Sequence, residues 1–185
     1  MGKTFFTDYF NFLESTLKSV NKSDLIEAAN RILKVSNNGK KLIIAGNGGS
    51  AAMASHVSVD FTKAAGIKAI NFNEADLLTC FSNDYGYERV FEKAVEFYGN
   101  DGDLLILVSS SGNSENVLNA AKIARKLNIG VLTFSGFDKD NKLRQLGDIN
   151  FWANSKAYNI VEMTHHIWLL SIVDYIIGDI EYSAS

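Results

Sequence analysis

An α/β fold, a parallel sheet with helices packed on both faces, is expected from three features of this 185-residue chain. Short β-branched apolar runs alternate with longer stretches of helical periodicity, which is the pattern of strand–helix–strand units. Two of the runs, Lys41–Ala45 and Leu104–Val108, end in glycine- and serine-rich loops that lead straight into helices. Hydrophobic residues make up 46% of the chain and charged residues 21%, an ordinary globular balance with enough apolar side chain for one full core.

Taken in order, Thr4–Val20 is helical in spacing but apolar on several sides, through Phe5, Phe6, Tyr9, Phe10, Phe12, Leu13, Leu17 and Val20. A helix this apolar near a chain end is usually covered, often by another subunit. Ser23–Ser36 reads as a second helix with Ser23 as N-cap. Strand Leu42–Ala45 precedes a helix over Ser50–Ala64, and a short strand follows at Ala69–Asn71. Helical stretches are expected at Glu74–Phe81 and Tyr87–Tyr98, with Cys80 in the core. Strand Leu104–Val108 leads to helix Ser114–Leu127. Strand Val131–Phe134, a short helix near Asn141–Leu146, strand Asn150–Ala153 and a long helix over Tyr158–Ile177 complete the chain. No linker or repeat divides it, so residues 1–185 are expected to form one domain, with 1–37 an N-terminal helical oligomerisation segment and 38–185 the α/β core.

Bulk properties exclude several functions. A net charge of −3 with no basic cluster argues against nucleic acid as a partner. A single cysteine, Cys80, allows no internal disulfide and fits a reducing compartment. Acidic and polar residues interrupt Met1–Asp8, so it does not read as a signal peptide. The apolar stretch Ile167–Ile177, broken by Ser171 and Asp174, is short for a bilayer, and a cytoplasmic protein with no membrane partner is expected.

The loops carry the functional signal. Gly46-Asn47-Gly48-Gly49-Ser50 and Ser109-Ser110-Ser111-Gly112-Asn113-Ser114 each place backbone N–H groups and hydroxyls at a helix start. The positive end of a helix dipole behind such a loop suits an anion, most often phosphate. Gly46, Gly48 and Ala51 partly match a dinucleotide fingerprint. That scheme wants an acidic residue at the tip of the second strand, where Asn71-Phe72-Asn73 stands instead, so no nucleotide cofactor is expected.

The two loops, with Asn83-Asp84-Tyr85-Gly86-Tyr87 between them, resemble the sugar isomerase (SIS) domain, and within it the phosphoheptose isomerases of bacterial heptose synthesis. The resemblance runs over nearly the whole chain. It implies a flavodoxin-like three-layer α/β/α sandwich, a homotetramer with shared active sites, and aldose–ketose isomerisation of a phosphorylated sugar such as sedoheptulose 7-phosphate. By it, Ser109, Ser110, Ser111 and Ser114 would cradle the phosphate, while Asn47, Gly48, Gly49, Ser50, Asn83 and Asp84 would contact the sugar.

The chain departs from that family's pattern where the chemistry is done. The family holds zinc with a His and a Glu four residues apart after the first loop, and with a Gln and a His eight apart on the last helix. Here the first pair is His56 and Asp60, while alignment puts Val161 and Leu169 at the second. At about 100° per residue, His165 falls midway between those positions. His56, Asp60 and His165 are therefore candidates for a three-ligand zinc site, with Asp60 and His165 alternatively a metal-free acid/base pair. Glu162 and His166 are second choices. A His packed at a helix interface and a surface His56–Asp60 ion pair are the plainer readings of the same residues. A non-catalytic phosphosugar sensor, or an assembly partner like the replication-initiator-associated protein of this superfamily, is the alternative function.

Overall fold

The computed structural model describes Gly2 and residues 4–182; the ends of the expected 1–185 domain, and Lys3, lie outside the described residues. Five parallel strands form one sheet: β1 (Leu42–Gly46), β2 (Ala69–Asn71), β3 (Leu104–Ser109), β4 (Gly130–Ser135) and β5 (Ile149–Trp152). Their spatial order is β2-β1-β3-β4-β5. That is the flavodoxin-like order, in which successive connections leave β1 in opposite directions and open a crevice between β1 and β3 at their carboxyl ends. The register sets Gly46 against Val108, so the two glycine- and serine-rich loops begin side by side.

Alternation along the strands makes two apolar layers. Leu42, Ile44, Leu104, Ile106, Val108, Leu132 and Phe134 face α2 (Lys22–Asn37), α3 (Gly49–Lys63) and α7 (Tyr158–Ile177). Ile43, Ala45, Leu105, Leu107 and Val131 face the other way, toward α4 (Ala75–Tyr85), α5 (Val90–Tyr98) and α6 (Glu115–Lys126). The inner face of α2, with Ala28, Ala29 and Ile32 fully buried, belongs to the same layer as the sheet. α1 (Phe5–Lys18) lies outside that layer on α7, where the Trp168 indole donates to the Leu17 carbonyl at 3.0 Å.

Three details differ from the sequence expectation. Asn21, not Ser23, caps α2, its side chain accepting from the Ser23 N–H at 3.2 Å. Cys80 is exposed rather than in the core, because α4 lies at the rim of its layer and buries no residue fully; Asp84, 3.7 Å from its sulfur, is the main cause raising its pKa. α7 as a whole, though interrupted by Glu162, Ser171 and Asp174, is long and apolar enough by length and average composition alone to cross a membrane. Here its apolar side packs on the sheet, with Val161, Leu169 and Val173 fully buried.

His165 is also fully buried on that side of α7. Its Nε2 lies 2.9 Å from the Ser135 carbonyl, so Nε2 carries the proton and donates, and Nδ1 has no partner. The ring packs edge-on against Phe134 and tilts against Trp168. Burial pushes the imidazole pKa from 6.5 down to about 4, against a smaller upward pull from the Ser135 carbonyl.

The serine loop between β3 and α6 is braced from below. Gly136 N–H donates to the Ser110 carbonyl at 3.0 Å, and Leu143 N–H to the Gly112 carbonyl at 2.9 Å. Buried Asn141 donates to the Asp138 carbonyl at 2.8 Å and accepts from Arg144 N–H at 3.1 Å. Gly112 sits at φ +63° directly over the Asn141 amide, and a Cβ there would overlap it.

Two outcomes are expected. Gly112→Ala should cost about 2 kcal/mol or more in urea unfolding, from left-handed strain plus the Asn141 clash. In the unfolded chain His165 binds protons below its ordinary value of 6.5, while the folded protein resists until about 4. Its contribution is therefore lost as pH falls through that window, by roughly 3 kcal/mol in all. Unfolding free energies at pH 7 and pH 4.5 should differ more for the wild type than for His165→Gln; equal differences would remove this role.

Candidate functional site

Side by side at the β1 and β3 tips, the loops enclose a cleft of about 220 Å³ lined by Asn47, Ser50, Ser109, Ser110, Ser111, Ser114, Tyr158 and Glu162. The first residues of α3 and α6 both open onto it, and Ser114 is the N-cap position of α6. Two helix dipoles thus direct positive ends at one small space lined by hydroxyls. Ser109 and Ser110 are buried, and Ser110 Oγ has no hydrogen-bond partner in the protein. A buried hydroxyl without a partner is costly unless a ligand supplies one. The Ser109 and Ser114 hydroxyls lie 3.4 Å apart, far enough for both to turn toward a bound oxygen.

Asn47 is held in place by three hydrogen bonds from two residues. Its amide exchanges hydrogen bonds with Asn116 at 3.0 and 2.9 Å, and the Tyr87 hydroxyl donates to its Oδ1 at 2.8 Å. Asn116, the second residue of the helix behind the serine loop, locks that loop to the glycine loop. The sequence reading missed it because a single Asn in a helix carries no signal until its partner is known. Tyr158 and Glu162 were missed as lining for a similar reason: they are distant in sequence and reach the cleft only because α7 starts above it. Gly49 makes room for Glu162, whose carboxylate occupies the space a Cβ would need.

Asn83 and Asp84 do not reach this cleft. They lie exposed at the end of α4, hydrogen-bonded to each other at 2.9 Å.

Beyond the cleft, α3 and α7 pack side by side. Glu162 meets Gly49, His166 meets His56, and Leu170 and Asp174 stand opposite Asp60. The side of α7 that faces α3 is therefore 162, 166 and 170. The expected positions 161, 165 and 169 lie one residue back and face the sheet, all fully buried. This corrects the placement of His165: a shift of one residue turns a helix by about 100°, enough to exchange the α3-facing side for the core. His165 joins neither His56 nor Asp60.

His166 takes its place. Its Nε2 lies 3.0 Å from His56 Nδ1, and the two rings meet edge to face. On the far side of the same ring, His56 Nε2 lies 3.3 Å from an Asp60 carboxylate oxygen. Burial, then the neighbouring His56, hold the His166 pKa below its ordinary value, against an upward pull from Asp60. Such a row does not suit the zinc expected from the resemblance. A metal needs ligand lone pairs converging on one point, whereas Asp60 and His166 approach opposite nitrogens of His56. Among the described residues no group of three or more His, Cys, Asp or Glu side chains is arranged to hold a metal ion.

Comparison with known proteins agrees with this architecture. The SIS domain family model matches residues 6–136. The phosphoheptose isomerase of Aliarcobacter butzleri is 36% identical over 164 residues, covering 85% of this chain and 86% of that protein. That of Fusobacterium nucleatum is 35% identical over 154 residues, covering 80% and 78%. Among solved structures, phosphoheptose isomerase GmhA from Neisseria gonorrhoeae superposes with a TM-score of 0.87 at 27% identity, over 95% of this chain and 96% of that one. Matched by the family model over residues 6–136 and by these relatives along most of its length, the chain belongs to the SIS domain family, among the phosphoheptose isomerases.

Proposed function

We propose that this chain is an aldose–ketose isomerase acting on a phosphorylated sugar, with sedoheptulose 7-phosphate as substrate, in the synthesis of bacterial surface heptose. The observation that carries the reading is the cleft in which serine hydroxyls, one of them buried and unpartnered, meet two helix N-termini. The phosphate would sit there, and the sugar would extend along the α3–α7 seam toward His166, His56 and Asp60. Four residues of helix rise about 6 Å, so the step from Glu162 to His166 brings proton-transfer groups within reach of the carbonyl end of a heptose chain. Asp60 is kept as a member of the reacting half of the site; His165 is not, because its ring is bonded to Ser135 in the core. A sensing or assembly role without catalysis is not favoured, since the relatives matched along most of the chain are isomerases.

The same reading makes the protein a cytoplasmic homotetramer with shared active sites. What supports assembly is α1, which leaves Phe6 72% and Phe10 62% exposed, beside half-exposed Phe5 and Phe12. Asn83 and Asp84, exposed and away from their own cleft, would then serve a neighbour's. Phe6→Glu with Phe10→Glu should reduce the mass measured by sedimentation; an unchanged mass in both variant and wild type would leave α1 without this role.

Ser110→Ala tests the cleft. The hydroxyl bonds nothing in the protein, so thermal stability should hold. KM for sedoheptulose 7-phosphate should rise tenfold or more, from loss of a hydrogen bond to a charged group worth about 1.5–3 kcal/mol. Unchanged KM, or no turnover by the wild type on any of a panel of pentose, hexose and heptose phosphates, overturns the assignment.

A further inference from the structure

The row Asp60–His56–His166 defines a direction for proton transfer. The Asp60 carboxylate lies 3.3 Å from His56 Nε2, an ion-pair contact whose negative charge favours the proton on that nitrogen. That contact favours the Nε2–H tautomer of His56, which leaves a lone pair on its Nδ1. With that tautomer, His166 Nε2, 3.0 Å from the lone pair, is the nitrogen that donates. The other nitrogen of His166, Nδ1, is left with the only uncommitted lone pair in the row. One carboxylate thus sets two imidazoles in series and delivers basicity to the ring nearest Glu162 and the serine cleft.

Resting on the isomerase reading above, we propose that this chain works without a metal, with His166 Nδ1 as the base that moves the proton and with His56 and Asp60 as its positioning residues. In the ketose-to-aldose direction, His166 Nδ1 takes a proton from C1. The C1–H electron pair becomes the C1=C2 bond of an enediol, and the C2 carbonyl oxygen gains a proton from water. The imidazolium then returns its proton to C2, the O1 hydroxyl loses its proton to water, and a C1 carbonyl forms. Protons balance over the cycle, and neither oxidant nor co-reactant is needed. The positive charge that His166 carries between the two transfers is offset by Asp60 through His56, the role a carboxylate plays behind a catalytic imidazole. The missing family ligands agree with this. Val161 and Leu169 are fully buried apolar residues, so the last helix offers a metal nothing at those positions.

The test combines two readouts on the full-length protein. Imidazole nitrogen NMR on metal-free protein should show His56 and His166 both protonated at Nε2. Exchange of solvent deuterium into C1 of sedoheptulose 7-phosphate should survive chelation and dialysis undiminished, with elemental analysis showing no stoichiometric zinc. His166→Gln should lose exchange 100-fold or more while KM for the sugar phosphate stays within about threefold. Asp60→Asn should lower kcat with little change in KM, and Asp60→Glu should restore most of it. Zinc bound in stoichiometric amount and required for exchange overturns the proposal, as does exchange that persists in His166→Gln or a His166 protonated at Nδ1. Wild type that exchanges no proton on any sugar phosphate overturns the isomerase reading itself, and with it this one.

Discussion

Parallel pairing of β1 with β3 is the constraint on which the rest depends. The register places Gly46 beside Val108, and everything functional is a short extension of that fact. Because β2 and β4 lie on opposite outer sides of the pair, the chain leaves the two tips in opposite directions and nothing of its own fills the crevice. The loops that follow have only to turn sharply into α3 and α6 for two helix N-termini to converge. No long-range electrostatic device is required. Apolar burial fixes the sheet, and the sheet fixes the anion site.

α7 is the second determinant, because one helix serves two incompatible environments. Toward the sheet it contributes Val161, His165 and Leu169; toward α3 it contributes Glu162, His166 and Leu170. The adjacent imidazoles illustrate how much environment decides. His165 is sealed among Phe134 and Trp168 and held neutral by desolvation, while His166 is half-buried and hydrogen-bonded to another ring. Identical side chains one residue apart thus become a packing element and a chemical group.

What could be read from the sequence follows the range of the signals. Strand runs and loops are local, and the five strands came out within a residue or two of their observed ends. The serine cradle was legible because its residues are contiguous, and His56 with Asp60 because they lie one turn apart on a single helix. Asn116, Tyr158 and Glu162 were not, since their proximity to Asn47 and Ser110 is a property of the sheet order rather than of spacing. His165 was misplaced for a subtler reason. The helical periodicity was right, but its phase relative to α3 depends on how α7 seats on Phe134 and Phe151, and a one-residue error in phase inverts the outcome. Cys80 was misjudged because helical apolar patterning identifies a face without saying whether that face meets a neighbour or the rim.

The cleft at the strand tips has no lysine or arginine among its own lining residues. An oxyanion held there is gripped by dipoles and hydroxyls, whose attraction is short-ranged and falls off within the first turn of each helix. Such a seat selects by shape, admitting a tetrahedral head group of the right size while adding little long-range pull. It therefore lets go as readily as it takes hold, which suits a catalyst whose substrate and product carry the same phosphate and must trade places at every turnover.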